Sequence, residues 1–323
     1  MSIAGMTSLL KRLVYLALVL WGVSLLTFGL FALAPGDPAE ILLRDGREAA
    51  TRESVAELRR ELGLDDPVAL RYARWLGKTL RGDLGRSWQT GEPVAGELLA
   101  RLGATLELAS AAFVFVVLCS VALGVVGAVY RGRAPDHLAR AWCILCLSLP
   151  NFWLGPLLIM LLALRWGLLP IMGRGGLDHL IMPALTLGLS MAALEGRVLR
   201  ASLLEILGQD YVRFALAKGL TGWAVMKRHV LRNALPPVVT LWGISLGHLL
   251  GGAVIVESIF SWPGLGKLAV DAVLARDVPL VQGTVLLMAL VFVVATQLTD
   301  LAHRWLDPRL SHGKGRHGNG WLD

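Results

Sequence analysis

Charge is scarce in this chain. Only 17% of its 323 residues are Asp, Glu, Lys or Arg while 55% are hydrophobic, and mean hydropathy is +0.61. That balance excludes an ordinary water-soluble globular domain and leaves a polytopic membrane protein. Cysteine is scarcer still. Cys119, Cys143 and Cys146 are an odd set inside apolar runs, which excludes a disulfide framework. Cys143 and Cys146 form a single CxxC with no second pair, and thiolates would be costly in lipid, so packing is their expected role. A phosphate loop of the form GxxxxGK[ST] is missing, so nucleotide hydrolysis is not expected here. The GRGG at 173–176 lacks the lysine and serine of such a loop and reads as an outer turn. None of the seven histidines stands four residues from another on one helix, as a metal-ligand pair would. The net charge of +7 comes without a compact basic and aromatic patch, so nucleic acid is not an expected partner.

Long apolar runs are what the chain has instead. Lys11 and Arg12 precede a run at 13–34, long enough at 1.5 Å per residue to cross roughly 30 Å of hydrocarbon. A cleaved signal peptide would have a shorter apolar region and a small-residue cleavage site. This run ends in APGDP, so retention as a first transmembrane helix is expected. Further spans are expected at about 106–129, 138–164, 180–194, 238–256 and 280–301. The fourth of these six is short unless helical residues from the Arg197 region extend it. Between the first two, residues 35–103 are charged and amphipathic, with 11 basic against 12 acidic residues, and read as a folded aqueous segment.

With both termini placed inside, the inner segments hold 16 Lys and Arg and the short outer loops only four. This is the asymmetry of the positive-inside rule, and the long 35–103 segment counts little toward it. The expected fold class is therefore all-α, with about six transmembrane helices. The expected divisions are 1–34, an extracytoplasmic helical segment at 35–103, a core at 104–303 and a C-terminal tail at 304–323 expected to be disordered.

Residues 211–237 interrupt the apolar pattern on the inner side. Arg213, Lys218, Lys227, Arg228 and Arg232 occur there with no acidic residue. Gly219 and Gly222 break the segment, and Pro236 and Pro237 forbid helix beyond it without a kink. A short helix, a glycine break and a second helix along the membrane would make a knob for a partner; a solvated positive-inside loop is the alternative.

Inside the spans, Pro150 and Pro156 bracket NFWLG in the third, where either a simple kink or a gate would fit. His248 in the fifth is the candidate for contact with a passing solute, or else bonds a neighbouring helix. Glu195, Arg197 and Arg200 are expected to pair locally at the inner end of the fourth.

Residues 211–237 resemble the signature loop of permease subunits of ABC importers that depend on a binding protein, in the peptide and nickel branch. ALAKGL at 215–220 and RHVLRNALPP at 228–237 carry the likeness. Where the general importer pattern has Glu-Ala-Ala, this chain has Arg213, Phe214 and Ala215. Further matches are LAPGDPA after the first span, residues 62–88, TLEL at 105–108, SLPNFWLG at 148–155, ESIFSWPGLGKL at 257–268, RDVPLVQG at 276–283 and the closing LDPRL. SLPNFWLG, residues 169–188 and residues 248–264 look somewhat closer to nickel than to dipeptide permeases.

The resemblance implies a non-catalytic inner-membrane subunit forming half of a translocation pathway for a peptide, nickel or metal-chelate solute. A second homologous permease would make a heterodimer with it, two cytoplasmic ATPase subunits would bind ATP and Mg, and an extracytoplasmic binding protein would deliver the solute. Ala215, Ala217, Lys218, Gly219, Leu220, Arg228, His229, Arg232 and Asn233 would then couple to the ATPase. Pro150, Asn151, His248 and Glu257 would line the pathway or gate. No cofactor or metal is implied on this chain. The other class, a self-sufficient secondary transporter or channel, would require inverted repeats or an intramembrane acidic pair.

Overall fold

The computed structural model describes residues 3–33, 37, 39–40, 43, 51–61 and 63–306. Most of 35–50 and the tail from residue 307 on, with His312 and His317, lie outside the described residues. The chain divides into two compact units: an N-terminal one of residues 1–103 with 267–291, and a core unit of residues 104–266 with 292–323.

In the N-terminal unit, α1 (Ile3–Leu33) is followed by two short amphipathic helices, α2 (Arg52–Glu61) and α3 (Val68–Thr79). Thr51 and Ser54 cap α2 reciprocally, each side-chain oxygen accepting from the other's backbone N–H at 3.2 and 3.1 Å. Within α1, Ser24 and Thr27 donate to carbonyls of the preceding turn at 2.7 and 2.8 Å, so neither hydroxyl is stranded in an apolar helix. Ser24 also hydrogen-bonds Tyr72 at 2.8 Å, and Phe28 stacks against Tyr72 and Trp75 with ring centroids 5.3 and 5.8 Å apart. α3 is thereby held along α1. A turn at 86–93 is anchored by the Ser87 hydroxyl, which donates to buried Asp277 at 2.5 Å. The other oxygen of Asp277 accepts from Leu280 N–H and so caps α13 (Val278–Leu306).

The core unit is built on α4 (Val94–Val129), α7 (Leu177–Leu207) and α11 (Pro236–Ile259). At 36 and 31 residues, α4 and α7 exceed a bilayer. The fourth span therefore does recruit the residues after Glu195: Leu199 and Leu203 are fully buried, and the helix follows that packing rather than the apolar run. α4 and α7 approach closely at small residues. A Cβ on Gly188 would stand 2.9 Å from Val116 and 3.2 Å from the Ala112 carbonyl, and one on Gly196 would stand 2.9 Å from the Leu123 Cβ.

The third span is not one rod. α5 (Ala134–Ser148) and α6 (Asn151–Leu158), with the wide turn Ile159–Arg165 after it, are bent by 105°. Leu149 is extended (φ −92°, ψ 123°) because it precedes Pro150, and Pro150 brings no N–H to bridge the break. Pro156 stays inside α6. The expected kink is thus a full break at Pro150. Among the described residues, five helices are long and apolar enough to cross a membrane, or six if the bent pair is one span. α12 (Leu265–Leu274) follows α11.

Candidate functional site

The acid-free stretch folds as two helical pieces around a glycine. α8 (Asp210–Ala217) ends at Lys218, and Gly219 reverses the chain at φ +84°, a conformation that L side chains rarely adopt. The Thr221 hydroxyl accepts from Ala224 N–H at 3.4 Å and starts α9 (Gly222–Val225). A wide turn at Met226–Val230 and α10 (Leu231–Ala234) lead to Pro236 at the start of α11. Asn233 Nδ2 donates to the His229 carbonyl at 2.9 Å and to the Tyr211 hydroxyl at 3.1 Å, which closes the second piece back onto the first.

One side of this knob is core. Val212, Val225, Met226, Val230 and Ala234 are buried with Leu199 and Leu203 of α7, Ala128 of α4 and Val238 of α11. The Ser202 hydroxyl donates to the Ala234 carbonyl at 3.0 Å, a polar tie between α7 and α10. The other side is open. Phe214, Leu216, Leu220 and Trp223 are between 41% and 69% exposed, and the Lys218 ammonium sits 4.5 Å from the centroid of the Phe214 ring. Ala217, Lys218, Gly219, Arg228, Arg232 and Asn233 share this exposure, while Ala215 and His229 are half-buried. The nine residues singled out in the sequence thus lie on one short helix–turn–helix segment. It also carries four exposed large apolar side chains that charge counting did not find, because pieces this short carry no periodicity to read.

The pathway candidates separate. Asn151, at the break in the third span, accepts from the Ser190 hydroxyl of α7 at 3.1 Å. His248 is exposed on a stripe of α11 with Ile244, Gly251 and Ile255, opposite the buried Leu249, Ala253 and Val256. It makes no hydrogen bond to any described residue, so no neighbouring helix bonds His248 among the described residues. Glu257 lies elsewhere in kind: it is fully buried and accepts from the Thr105 hydroxyl at 2.7 Å, while that hydroxyl accepts from Leu265 N–H at 2.8 Å. A Cβ on Gly264 would fall 2.2 Å from a Glu257 oxygen. Glu257 therefore anchors the ESIFSWPGLG turn, and Trp262 Nε1 donates to the Ala104 carbonyl at 2.8 Å beside it.

Local pairing toward the C-terminal end of α7 is not what forms. Arg200 reaches across to Asp136 of α5 with two hydrogen bonds of 2.7 and 2.8 Å, and Asp136 also accepts from Gly132 N–H at 2.9 Å. Glu195 is buried and accepts from the Ser245 hydroxyl of α11 at 2.5 Å. Both links join residues more than 45 positions apart, a separation that no helix-spacing rule reaches. Cys143 and Cys146 pack with Ala193 as small apolar side chains. No cluster of three or more metal-ligating side chains occurs among the described residues.

Long apolar helices, a broken span and a basic knob between two of those helices agree with a membrane component of a transport system. The family model "Binding-protein-dependent transport system inner membrane component" matches residues 120–312, and the N-terminal model of the same systems matches residues 6–109. The chain belongs to this family. It is 38% identical to the dipeptide transport system permease protein DppB of Escherichia coli K12, over 95% of this chain and 99% of that one. It is 39% identical to the glutathione transport system permease protein GsiC of the same strain, over 94% and 98%. Among solved structures, a chain of the MetNI methionine ABC transporter shares the fold with a TM-score of 0.56 at 19% identity, covering 65% of this chain and 96% of that one. The protein is thus a permease subunit of an ABC importer, a non-catalytic inner-membrane component whose ATP hydrolysis falls to other subunits.

Proposed function

We propose that this chain forms half of the pathway for a peptide-class solute, paired with a second, homologous permease. The observation that supports this is whole-length similarity to the dipeptide and glutathione permeases. A binding protein outside delivers the solute, and two ATPase subunits inside grip residues 210–235. Both termini face the cytoplasm, in keeping with 16 inner against four outer cationic residues in the short segments. The exposed tip of Phe214, Leu216, Leu220 and Trp223 fills a cleft on the ATPase, with Lys218, Arg228 and Arg232 at its rim.

The stripe of α11 bearing His248 faces the pathway, since an imidazole without a partner among the described residues is costly against lipid. Replacing His248 with Leu is expected to lower uptake at least fivefold while leaving the amount of membrane-inserted protein unchanged. Uptake of labelled dipeptide, glutathione and nickel by cells lacking and regaining the gene is the test. Restored peptide uptake supports the proposal; restored nickel uptake alone overturns the solute assignment.

A further inference from the structure

The N-terminal unit holds two cavities of opposite character. The first, about 450 Å³, has aromatic walls from Phe28 and Trp75 and cationic ones from Arg60, Arg71 and Lys78. Arg74 also lines it but is taken by Asp66. The side chains of Arg60, Arg71 and Lys78 have no ion pair or hydrogen bond among the described residues. Of the remaining carboxylates on the wall, Asp83 accepts from Gly85 N–H at 2.9 Å and keeps its charge, so Glu61 and Asp83 stand against Arg60, Arg71 and Lys78, and cations remain in excess among the described residues. The second cavity, about 720 Å³, is aliphatic, lined by side chains such as Leu13, Ala17 and Leu20 of α1, Leu98 of α4, and Leu286 and Leu290 of α13. Both volumes are in the range of small-molecule sites.

Leu84 lines both cavities, so they adjoin. Two helices run past both, in opposite chain directions. On α1 the polar cavity takes Phe28 and Phe31 and the apolar one Leu13 to Ser24. On α13 the polar cavity takes Val278 and Gln282, and the apolar one Leu286 and Leu290. Leu13 and Ser24 are 11 residues apart, about 16 Å of helix, and the two cavities together follow α1 through most of a core roughly 30 Å thick. Thr79 lines the apolar cavity, and its Oγ1 is buried and without a hydrogen-bond partner among the described residues.

We propose that this unit holds one glycerophospholipid. Its phosphate sits among Arg60, Arg71 and Lys78, Thr79 donates to an ester carbonyl, and an acyl chain lies along α1 in the apolar cavity. A soluble phosphate would use the cationic end and leave the apolar one vacant; a hydrocarbon without phosphate would do the reverse. Only an amphiphile satisfies both ends. Assigning this lipid to the outer leaflet rests on the topology proposed above; the binding itself does not.

Native mass spectrometry of the full chain in detergent tests it, with separate titrations of phosphatidylglycerol, diacylglycerol of the same acyl chains, and glycerol 3-phosphate. Phosphatidylglycerol is expected to bind as a single adduct at least tenfold tighter than either fragment. R71Q/K78Q should bring it down to the diacylglycerol level, and A17W, which fills the apolar cavity, should remove the adduct. K78Q alone, at an exposed position, gives a partial loss if the double variant unfolds. Phosphatidylglycerol binding no tighter than diacylglycerol, or glycerol phosphate binding equally tightly, would overturn the proposal. So would an A17W variant that keeps the lipid but loses the second permease subunit, because the cavity would then be a protein interface.

Discussion

Gly219→Asp is expected to abolish solute uptake while leaving the chain inserted and folded. A Cβ built on Gly219 meets nothing within 4 Å, so no steric damage spreads from it. The left-handed backbone at φ +84° costs an L residue about 1 kcal/mol, and Asp tolerates it better than most. That cost falls on an exposed turn. The new carboxylate, by contrast, stands in a stretch of 27 residues, 211–237, that has no acidic side chain of its own. It sits between Lys218 and Leu220, where the knob is expected to meet the ATPase. Uptake should fall at least tenfold, read together with membrane-inserted protein and solute-stimulated ATPase activity of the assembled importer. Gly219→Asn, with the same backbone tolerance and no charge, should retain most of the uptake. Normal uptake in the Asp variant would remove residues 210–235 from the coupling role.

Gly266→Ala is expected to be the most damaging small substitution in the core unit. The added Cβ would stand 2.5 Å from the Val254 Cα and 2.9 Å from its nitrogen, and backbone atoms of α11 cannot swing aside as a side chain does. Overpacking of this kind costs about 3 kcal/mol. Movement of α11 would also disturb Glu257, whose oxygen lies 3.0 Å from the same Cβ. Thermal unfolding of the purified chain should show a midpoint about 5 °C or more lower. Gly251→Ala, on α11 itself and facing open space, is the control and should change the midpoint by less than about 1 °C. Equal midpoints for the two variants would mean that the α11–α12 contact does not limit stability.

Much of the architecture was legible because lipid leaves few solutions. Apolar length placed five of the spans, and the break at Gly219 followed from residue type alone. What stayed hidden depended on partners far along the chain. The fourth span continues past Glu195 because Leu199 and Leu203 are buried against the knob, which no hydropathy window can register. α4 begins at Val94 rather than near 106, since Val94 and Leu98 are buried and extend it upstream of its apolar run. The prolines of the third span were visible but its 105° bend was not, because the angle is set by what α6 packs on, including Ser190 of α7. Arg200 was read with its neighbour Glu195, while its carboxylate comes from Asp136 at a distance of 64 residues. The knob was recognised by its cations, yet its most exposed large apolar side chain is Trp223, at 69%.

The account rests on energy entering this chain from an ATPase through residues 210–235. The most direct measurement is uptake of labelled solute by vesicles reconstituted with the permease pair, the ATPase subunits and the binding protein, with and without ATP. Accumulation that requires ATP and every partner is the predicted result. Accumulation by this chain alone, without ATP, would contradict it.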